Sequence, residues 1–293
     1  MFATACKIAS EFTRPVSVSS LMVSGKCGNA LGAFVVINPE GWIVTAHHII
    51  QLIDDLNDSV LKHQAWEAEY ERIQNDAQMD GKAKRKALGK LGKPSQETVK
   101  RFAMGWGTGN IRLVASAKVP EVDLAIGRLE PFEPSWIKQY PVFKDPDKGF
   151  HQGTSLCCLG FPFHSVTPTY NQTTSTFEMP GPWPPPTFAI EGIISRTVTL
   201  TPPHPGPVPF RFVEMSSPGL KGQSGGPIFD GRGTVWAIQS QTRHYPLGFD
   251  PPVPDGRAGE REHQFLNAGW GIHSASLVAA FRELKVSFSL SEY

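Results

Sequence analysis

The chain has 293 residues, 40% of them hydrophobic and 19% charged, below the roughly 25% charge of an average soluble domain, which excludes a disordered, charge-rich tail protein. Lys and Arg number 28 against 27 Asp and Glu, a formal charge of +1, so no global field draws the chain to nucleic acid or to an anionic membrane. No apolar run approaches the roughly 18 residues of a membrane helix, and the start MFATACKIASEFTRP lacks the apolar stretch of a secretory signal.

The expectation is therefore a cytoplasmic protein. Its 28 Gly and 26 Pro exceed average usage and favour strands joined by turns. Residues 15 to 48 read as three short strands, PVSVSSLMVS, LGAFVVINPEG and WIVTAHHII, with the Asn-Pro-Glu-Gly turn closing the second. From Ile49 to about Arg101 the pattern changes. Ile49, Ile53, Leu56, Val60, Trp66, Tyr70, Ile73 and Ala77 recur at three-and-four spacing, which predicts an inserted amphipathic helical element. Its charge is segregated: residues 54–80 hold eight acidic and two basic residues, residues 82–101 eight basic and one acidic. The plain reading is two antiparallel helices turning near Gly81 with their charges facing each other or water; a docking surface for a regulatory protein partner is the sharper one. Nucleic acid is not expected, because the basic run lacks interleaved aromatics.

IRLVASAKV and VDLAIGRLE then read as paired strands. The Pro-rich EPFEPSWIKQYPVFKDPDKG predicts the boundary between an N-terminal half, residues 1–135, and a C-terminal half, residues 136–293. Strands follow in TSLCCLGFPF, TFAIEGIISRTVTL, FRFVEMSS, GGPIFD and TVWAIQSQT, with an irregular surface loop, PTYNQTTSTFEMPGPWPPP, between the first two. GIHSASLVAAFRELKV predicts a terminal helix capped by Ser274 or Ser276. The four cysteines, Cys6, Cys27, Cys157 and Cys158, are too few and too oddly placed for a disulfide framework and read as thiols in a reducing compartment. With no CxxC pair and no histidines at ligand spacing, neither metal nor organic cofactor is expected.

The chemistry is concentrated in Gly222-Gln223-Ser224-Gly225-Gly226-Pro227. Glycines around a serine permit backbone shapes that expose its hydroxyl and aim the N–H groups of Gly222 and Ser224 at one point, an oxyanion hole. A serine hydroxyl needs an imidazole to take its proton and a third group to orient that imidazole. Two upstream segments supply them: Ile43-Val44-Thr45-Ala46-His47-His48 ends a strand in histidine, and Val122-Asp123-Leu124-Ala125-Ile126 puts one Asp at the head of an apolar strand. The other reading of GQSGG, an α/β-hydrolase esterase, requires acid and histidine after the serine and alternating helices and strands, which the chain does not offer. A catalytically silent barrel pair used as a binding module is the alternative from another class.

GAFVVINPEGWIVTAHHI, VDLAIGRL and GQSGGPIFD together resemble the trypsin-like, chymotrypsin-fold serine peptidases, and the bacterial HtrA-type branch more than the secreted digestive enzymes. The resemblance covers about residues 15–48 and 110–285. It implies an all-β chain of two six-stranded antiparallel barrels, with the helical insertion in the first and a C-terminal helix, acting as a serine endopeptidase on protein or peptide substrates. It assigns His48 as general base, Asp123 as orienting acid and Ser224 as nucleophile. His47 is a rival base, but Thr-Ala-x-His selects His48. The family's acyl-side pocket maps onto Pro218 and the wall Ser240-Gln241-Thr242; with no acid at its base, a small or medium apolar residue is expected before the scissile bond rather than Lys or Arg. Gln223 stands where secreted zymogens carry Asp, so activation by propeptide cleavage is not expected, and control through loop ordering or the helical insertion is. A PDZ-like extension after the last helix is not expected.

Overall fold

The computed structural model describes all residues except 107–110, 165–166, 202–203, 205 and 253–260. A first helix, α1 (Ala3–Phe12), leads into β1 (Thr13–Met22), β2 (Cys27–Val36) and β3 (Trp42–Ala46); helices α2 (His47–Asn75) and α3 (Gly81–Leu91) interrupt the strands before β4 (Val99–Gly105), β5 (Arg112–Val119) and β6 (Leu124–Glu130). The rest comprises β7 (Val142–Phe143), β8 (Ser155–Gly160), β9 (Thr169–Asn171), β10 (Thr176–Glu178), β11 (Phe188–Thr199), β12 (Arg211–Met215), β13 (Pro227–Phe229), β14 (Val235–Pro246), β15 (Phe265–His273), α4 (Ser274–Glu283) and β16 (Ser289–Leu290).

The strands form two barrel-like sheets. The first runs β4-β1-β2-β3-β6-β5. In the second, β13-β8-β11-β12-β15-β14 closes into a ring of six because β13 also pairs with β14, and β7 and β16 extend it. Apolar side chains of both sheets, with α1 and α4, bury themselves in a shared core that includes Phe34, Ile43, Phe143, Phe229 and Phe281. The all-β expectation of two barrel-like sheets with a helical insertion and a terminal helix holds.

Four details differ from the sequence reading, the first being the cap of α4, where His273 rather than Ser274 or Ser276 accepts the Ala275 N–H. The helical insertion ends before Arg101: β4 begins at Val99 and pairs with β1, Met22 lying opposite Val99 and Leu21 opposite Arg101. The irregular loop opens with a hairpin, β9 against β10, because Asn171 Oδ1 accepts the N–H groups of Thr173 and Thr174 and so makes its own turn; between Pro168, ahead of β9, and Pro180 no proline interrupts the pairing. The N-terminal segment, which carried no prediction, is α1, burying Ala5, Ala9 and Phe12 at helical spacing.

Within the insertion, Asp80 caps α3 by accepting from the N–H groups of Lys82 and Ala83. The Trp66 indole donates to Gly92 O at 3.0 Å and Lys84 Nζ to Gln74 O at 2.7 Å, which hold α3 beside α2. Among the described residues no ion pair joins the acidic helix to the basic one; α3 buries no residue, and its charges face water.

Candidate active site

Asp123 ends a single 3-10 turn, Pro120–Val122, in the left-handed region, φ 56° and ψ 37°, a conformation that a short polar side chain tolerates better than most. The neighbouring residue, Leu124, pairs with Ala46, the last of β3. This register brings Asp123 against the junction where β3 becomes α2. There the Asp123 carbonyl accepts the His47 N–H at 2.8 Å and Oδ1 accepts the His48 N–H at 2.9 Å.

The same carboxylate grips the His48 ring, with Nδ1 2.9 Å from Oδ2 and 3.1 Å from Oδ1. A carboxylate can only accept, so Nδ1 carries a proton, and whenever the ring is neutral Nε2 is the nitrogen that holds the lone pair. A further donor is Ser240, whose buried hydroxyl lies 2.6 Å from Asp123 Oδ2. Burial pushes the Asp123 carboxyl up, but the hydrogen bonds and charge of His48 and the bond from Ser240 outweigh it and hold the group below its ordinary value of 3.8. The His48 side chain is 50% exposed, the Asp123 side chain 20%: the ring is open to solvent and the carboxylate is the more sheltered partner.

Ser224 lies in the loop before β13, and its surroundings explain each glycine. Ser224 O accepts the Ala33 N–H at 2.8 Å, and Gly225 N–H donates to Gln239 O at 2.7 Å, tying the loop to β2 and β14 together. Gly225, at φ 83°, passes so close to Ala33 O and Thr45 Oγ1 that a Cβ would overlap both. Thr45 is held in turn by donating to Ala33 O at 2.7 Å. Gly222, at φ 98°, presses on Phe161 O and accepts the Phe161 N–H at 2.9 Å. Gln223, fully buried, accepts the Leu220 N–H through Oε1 at 3.0 Å while its own N–H donates to Leu220 O at 2.9 Å, a two-bond lock on the turn ahead of the serine.

Among the described residues, the N–H groups of Gly222 and Ser224 have no hydrogen-bond partner. They are free for an incoming oxygen. The Ser224 hydroxyl is directed at Ser240 O, 3.4 Å away, rather than at His48. Ser240 links this serine to Asp123, its hydroxyl on the carboxylate and its carbonyl accepting from the Ser224 hydroxyl.

The predicted acyl-side wall is closely packed. Thr242 Oγ1 donates to Gly219 O at 2.6 Å, and Gly269 N–H donates to Ser217 O at 2.8 Å, joining the segment around Pro218 to β14 and β15. Gln239 Nε2 donates to Gln241 O at 3.1 Å. Ser240, read from sequence as a wall residue, has its hydroxyl on Asp123, an interaction without a sequence signal of its own. Of the other histidines, His244 pairs with Asn267 at 2.6 Å and His263 with Asp250 at 3.2 Å. His273 is buried, and burial followed by the charge of Arg211 lowers its pKa to about 3, so it stays neutral and caps α4 by accepting the Ala275 N–H. Among the described residues no three His, Cys, Asp or Glu side chains converge on a metal position.

The trypsin-like peptidase domain model matches residues 32–238, well over half of the chain. Among solved structures, the active form of the Rv3671c protease from M. tuberculosis aligns with 98% of this chain and 86% of its own, at 13% identity and a TM-score of 0.49. The HtrA-type protease AlgW with a tripeptide aligns with 98% of this chain at 14% identity and a TM-score of 0.48. This chain spans 64% of the AlgW chain, less than two thirds. No curated protein sequence matches.

Proposed function

The chain belongs to the trypsin-like peptidase family and is a serine peptidase acting on protein or peptide substrates, and from that premise we propose that it is an endopeptidase working through His48, Asp123 and Ser224. The observation that carries this reading is the grip of Asp123 on His48, at 2.9 Å through the ring and 2.9 Å through the main chain. It leaves Nε2 as the base of the proposed mechanism, and Ser240 links the pair to Ser224, its hydroxyl on Asp123 and its carbonyl accepting from the Ser224 hydroxyl.

Catalysis begins when the Ser224 hydroxyl rotates from Ser240 O towards Nε2, which takes its proton as Oγ attacks the substrate carbonyl carbon. Such bonds are often long in substrate-free sites and tighten on binding. The negative charge developing on the substrate oxygen falls between the Gly222 and Ser224 N–H groups, donors fixed in advance by the glycine conformations. Asp123 stabilises the imidazolium, which passes the proton to the departing amine. A water then enters and gives a proton to His48 as its oxygen bonds to the acyl carbon; the bond to Ser224 Oγ breaks, and His48 returns the proton to that oxygen. The base and orienting acid come from the half ending near residue 135 and the nucleophile from the half that follows.

The packed wall at Gly219 and Thr242 supports the expected preference for a small or medium apolar residue before the scissile bond over a large one. Regulation through the insertion is part of the same reading: His48 is in the first turn of α2, so a partner that shifts this helix shifts the base. If replacing residues 57–96 by a short Gly-Ser linker leaves a folded protein with unchanged activity, the regulatory role is wrong. The four unpaired thiols support the cytoplasmic setting expected from the sequence.

A fluorophosphonate probe tests the core of this proposal. Labelling at Ser224, abolished by Ser224→Ala and by His48→Ala, is the expected result. A folded wild-type protein that does not label at Ser224 would support the alternative, a silent binding module.

A further inference from the structure

Helix α1 leads into the first sheet and β8 belongs to the second, and where they touch two thiols meet. Cys157 is buried in the shared core, while Cys158, the next residue of β8, lies in a second, smaller apolar cluster with Leu156 and Trp236. Alternation along the strand thus gives the two neighbours different surroundings. Cys6, on α1 and partly exposed, brings its Sγ to 4.0 Å from Cys157 Sγ. Among the described residues no other two of the four thiols are in contact. A disulfide needs about 2 Å between the sulfurs, so roughly 2 Å must close.

Helix α1 is built to supply that movement. Its start has no side-chain cap, and its hold on the second sheet is apolar: Phe2 meets Phe229 edge-on, ring centres 6.3 Å apart, and Ile8 packs over Gly233. Phe229 is the β13 residue paired with Cys157, and the Cys6 N–H donates to Phe2 O at 2.7 Å. Phe2 and Cys6, one helical turn apart, therefore sit over one rung of the sheet.

We propose that Cys6 and Cys157 form a reversible oxidation site: a peroxide converts the pair to a disulfide that ties α1 to β8, and a dithiol reductant releases it. Neither thiol belongs to the proposed catalytic machinery. Burial, with Cys6 adding to it, pushes the Cys157 thiol up to about 12, so Cys157 stays protonated and the partly exposed Cys6 meets the oxidant first. The Cys6 sulfur, as thiolate, bonds to one peroxide oxygen, the O–O bond breaks, and the departing hydroxide takes up a proton to leave as water. Cys6 is then a sulfenic acid. The Cys157 sulfur bonds to Cys6 Sγ, the S–O bond breaks, and the hydroxyl departs as water with the Cys157 proton. Two thiols lose two electrons and one peroxide becomes two waters. In a reducing compartment such a bridge is transient, a response to oxidant rather than a structural fixture. The two residues are 151 positions apart, so the bridge joins the two sheets and restricts a long stretch of the unfolded chain.

Reduced wild-type protein is treated with hydrogen peroxide, quenched, and digested without reductant for mass spectrometry. The expected product joins the peptides that hold Cys6 and Cys157 and comes apart with dithiothreitol. The oxidised protein should melt at least about 5 °C above the reduced one, and dithiothreitol should reverse the shift. Cys6→Ser, a change at a partly exposed position, should show neither the link nor the rise under the same treatment, which separates the bridge from oxidation elsewhere. Cys6 left as a free thiol, Cys6 carried to sulfinic acid without a link, or a bridge through Cys27 or Cys158 would overturn the assignment. A Cys6–Cys157 link that leaves Tm unchanged would overturn the tie between the two sheets.

Discussion

Replacing Ser240 by Ala removes one donor from a carboxylate that otherwise accepts only from His48. The lost bond is short, 2.6 Å, buried on the Ser240 side, and made to an ionised acceptor. Bonds of that kind contribute roughly 1.5–3 kcal/mol. Because the Asp123 side chain remains 20% exposed and water can enter, the lower end applies, about 1.5 kcal/mol, or about 2–3 °C in Tm for a chain of this size. The pH dependence follows from the sign of the Asp123 shift. Its pKa is lowered in the folded protein, so its contribution is complete well above 3.8 and is lost as pH falls through the folded value. Ser240→Ala raises the folded value towards the ordinary one. The stability gap between variant and wild type should thus be full at pH 7 and shrink below about pH 4. Urea unfolding of both proteins from pH 7 to pH 3.5 measures it. Equal stability at pH 7, or a gap that widens on acidification, would refute Ser240 as a support of the orienting acid.

Thr242→Gly should break the bond across the acyl-side pocket and raise kcat/KM for substrates with Phe or Leu before the scissile bond by about tenfold or more, measured on chromogenic peptides; no change would mean that Thr242 does not close that pocket. Gly225→Ala forces a Cβ into Ala33 O at a positive φ and should cost more than about 3 kcal/mol, seen as loss of soluble protein or a fall of several degrees in Tm. Burial pushes the Cys157 thiol up to about 12, with its neighbour Cys6 adding to the shift, and burial also raises the Cys158 thiol. At pH 7.5, iodoacetamide should modify Cys27, which is half-buried, well before Cys157 or Cys158, and these two only on unfolding; mass spectrometry of the modified peptides decides it.

What could be read from the sequence divides along a physical line. The strands around His48 and Asp123 were legible because they are short apolar runs with their own turn residues, and the Ser224 loop because several other backbones, those of Ala33, Leu159 and Phe161, press on it and crowd glycines into one short stretch. Isolated contacts between distant segments left no such trace. Ser240 looks like an ordinary strand residue until β14 is laid beside Asp123, and Gly269 shows no reason for being glycine until Ser217 and Gly219 are packed against it. The insertion's end was overrun because the basic stretch continues into β4 without interruption: Lys100 and Arg101 belong by charge to the helical segment and by pairing to the barrel. Helix α1 was missed for another reason. Its N-cap, Phe2, offers no side-chain acceptor, so the usual start signal is absent although Ala5, Ala9 and Phe12 keep helical spacing.

The N-terminus of α2 shows how stability and chemistry share one residue. Ala46 at its N-cap makes no side-chain bond to the first turn, yet the His47 and His48 N–H groups are both satisfied, by the carbonyl and carboxylate of Asp123. Asp123 is thus a helix cap supplied from another strand, its negative charge at the positive end of a 29-residue helix, as well as the partner of the His48 ring. The two roles separate on substitution. Asp123→Asn keeps an oxygen for the His48 N–H and tolerates the left-handed backbone, so it should lose about 1 kcal/mol of stability while activity falls roughly 10³–10⁴-fold, since an amide cannot support the imidazolium. Asp123→Ala removes the cap as well and strains the backbone at φ 56°, so it should be equally inactive and about 2–3 kcal/mol less stable, with helix signal lost early in the melt. Circular dichroism at 222 nm during thermal unfolding distinguishes them. If Asp123→Ala melts with the wild type, the carboxylate does not cap α2, and the insertion has no mechanical hold on His48 through this residue.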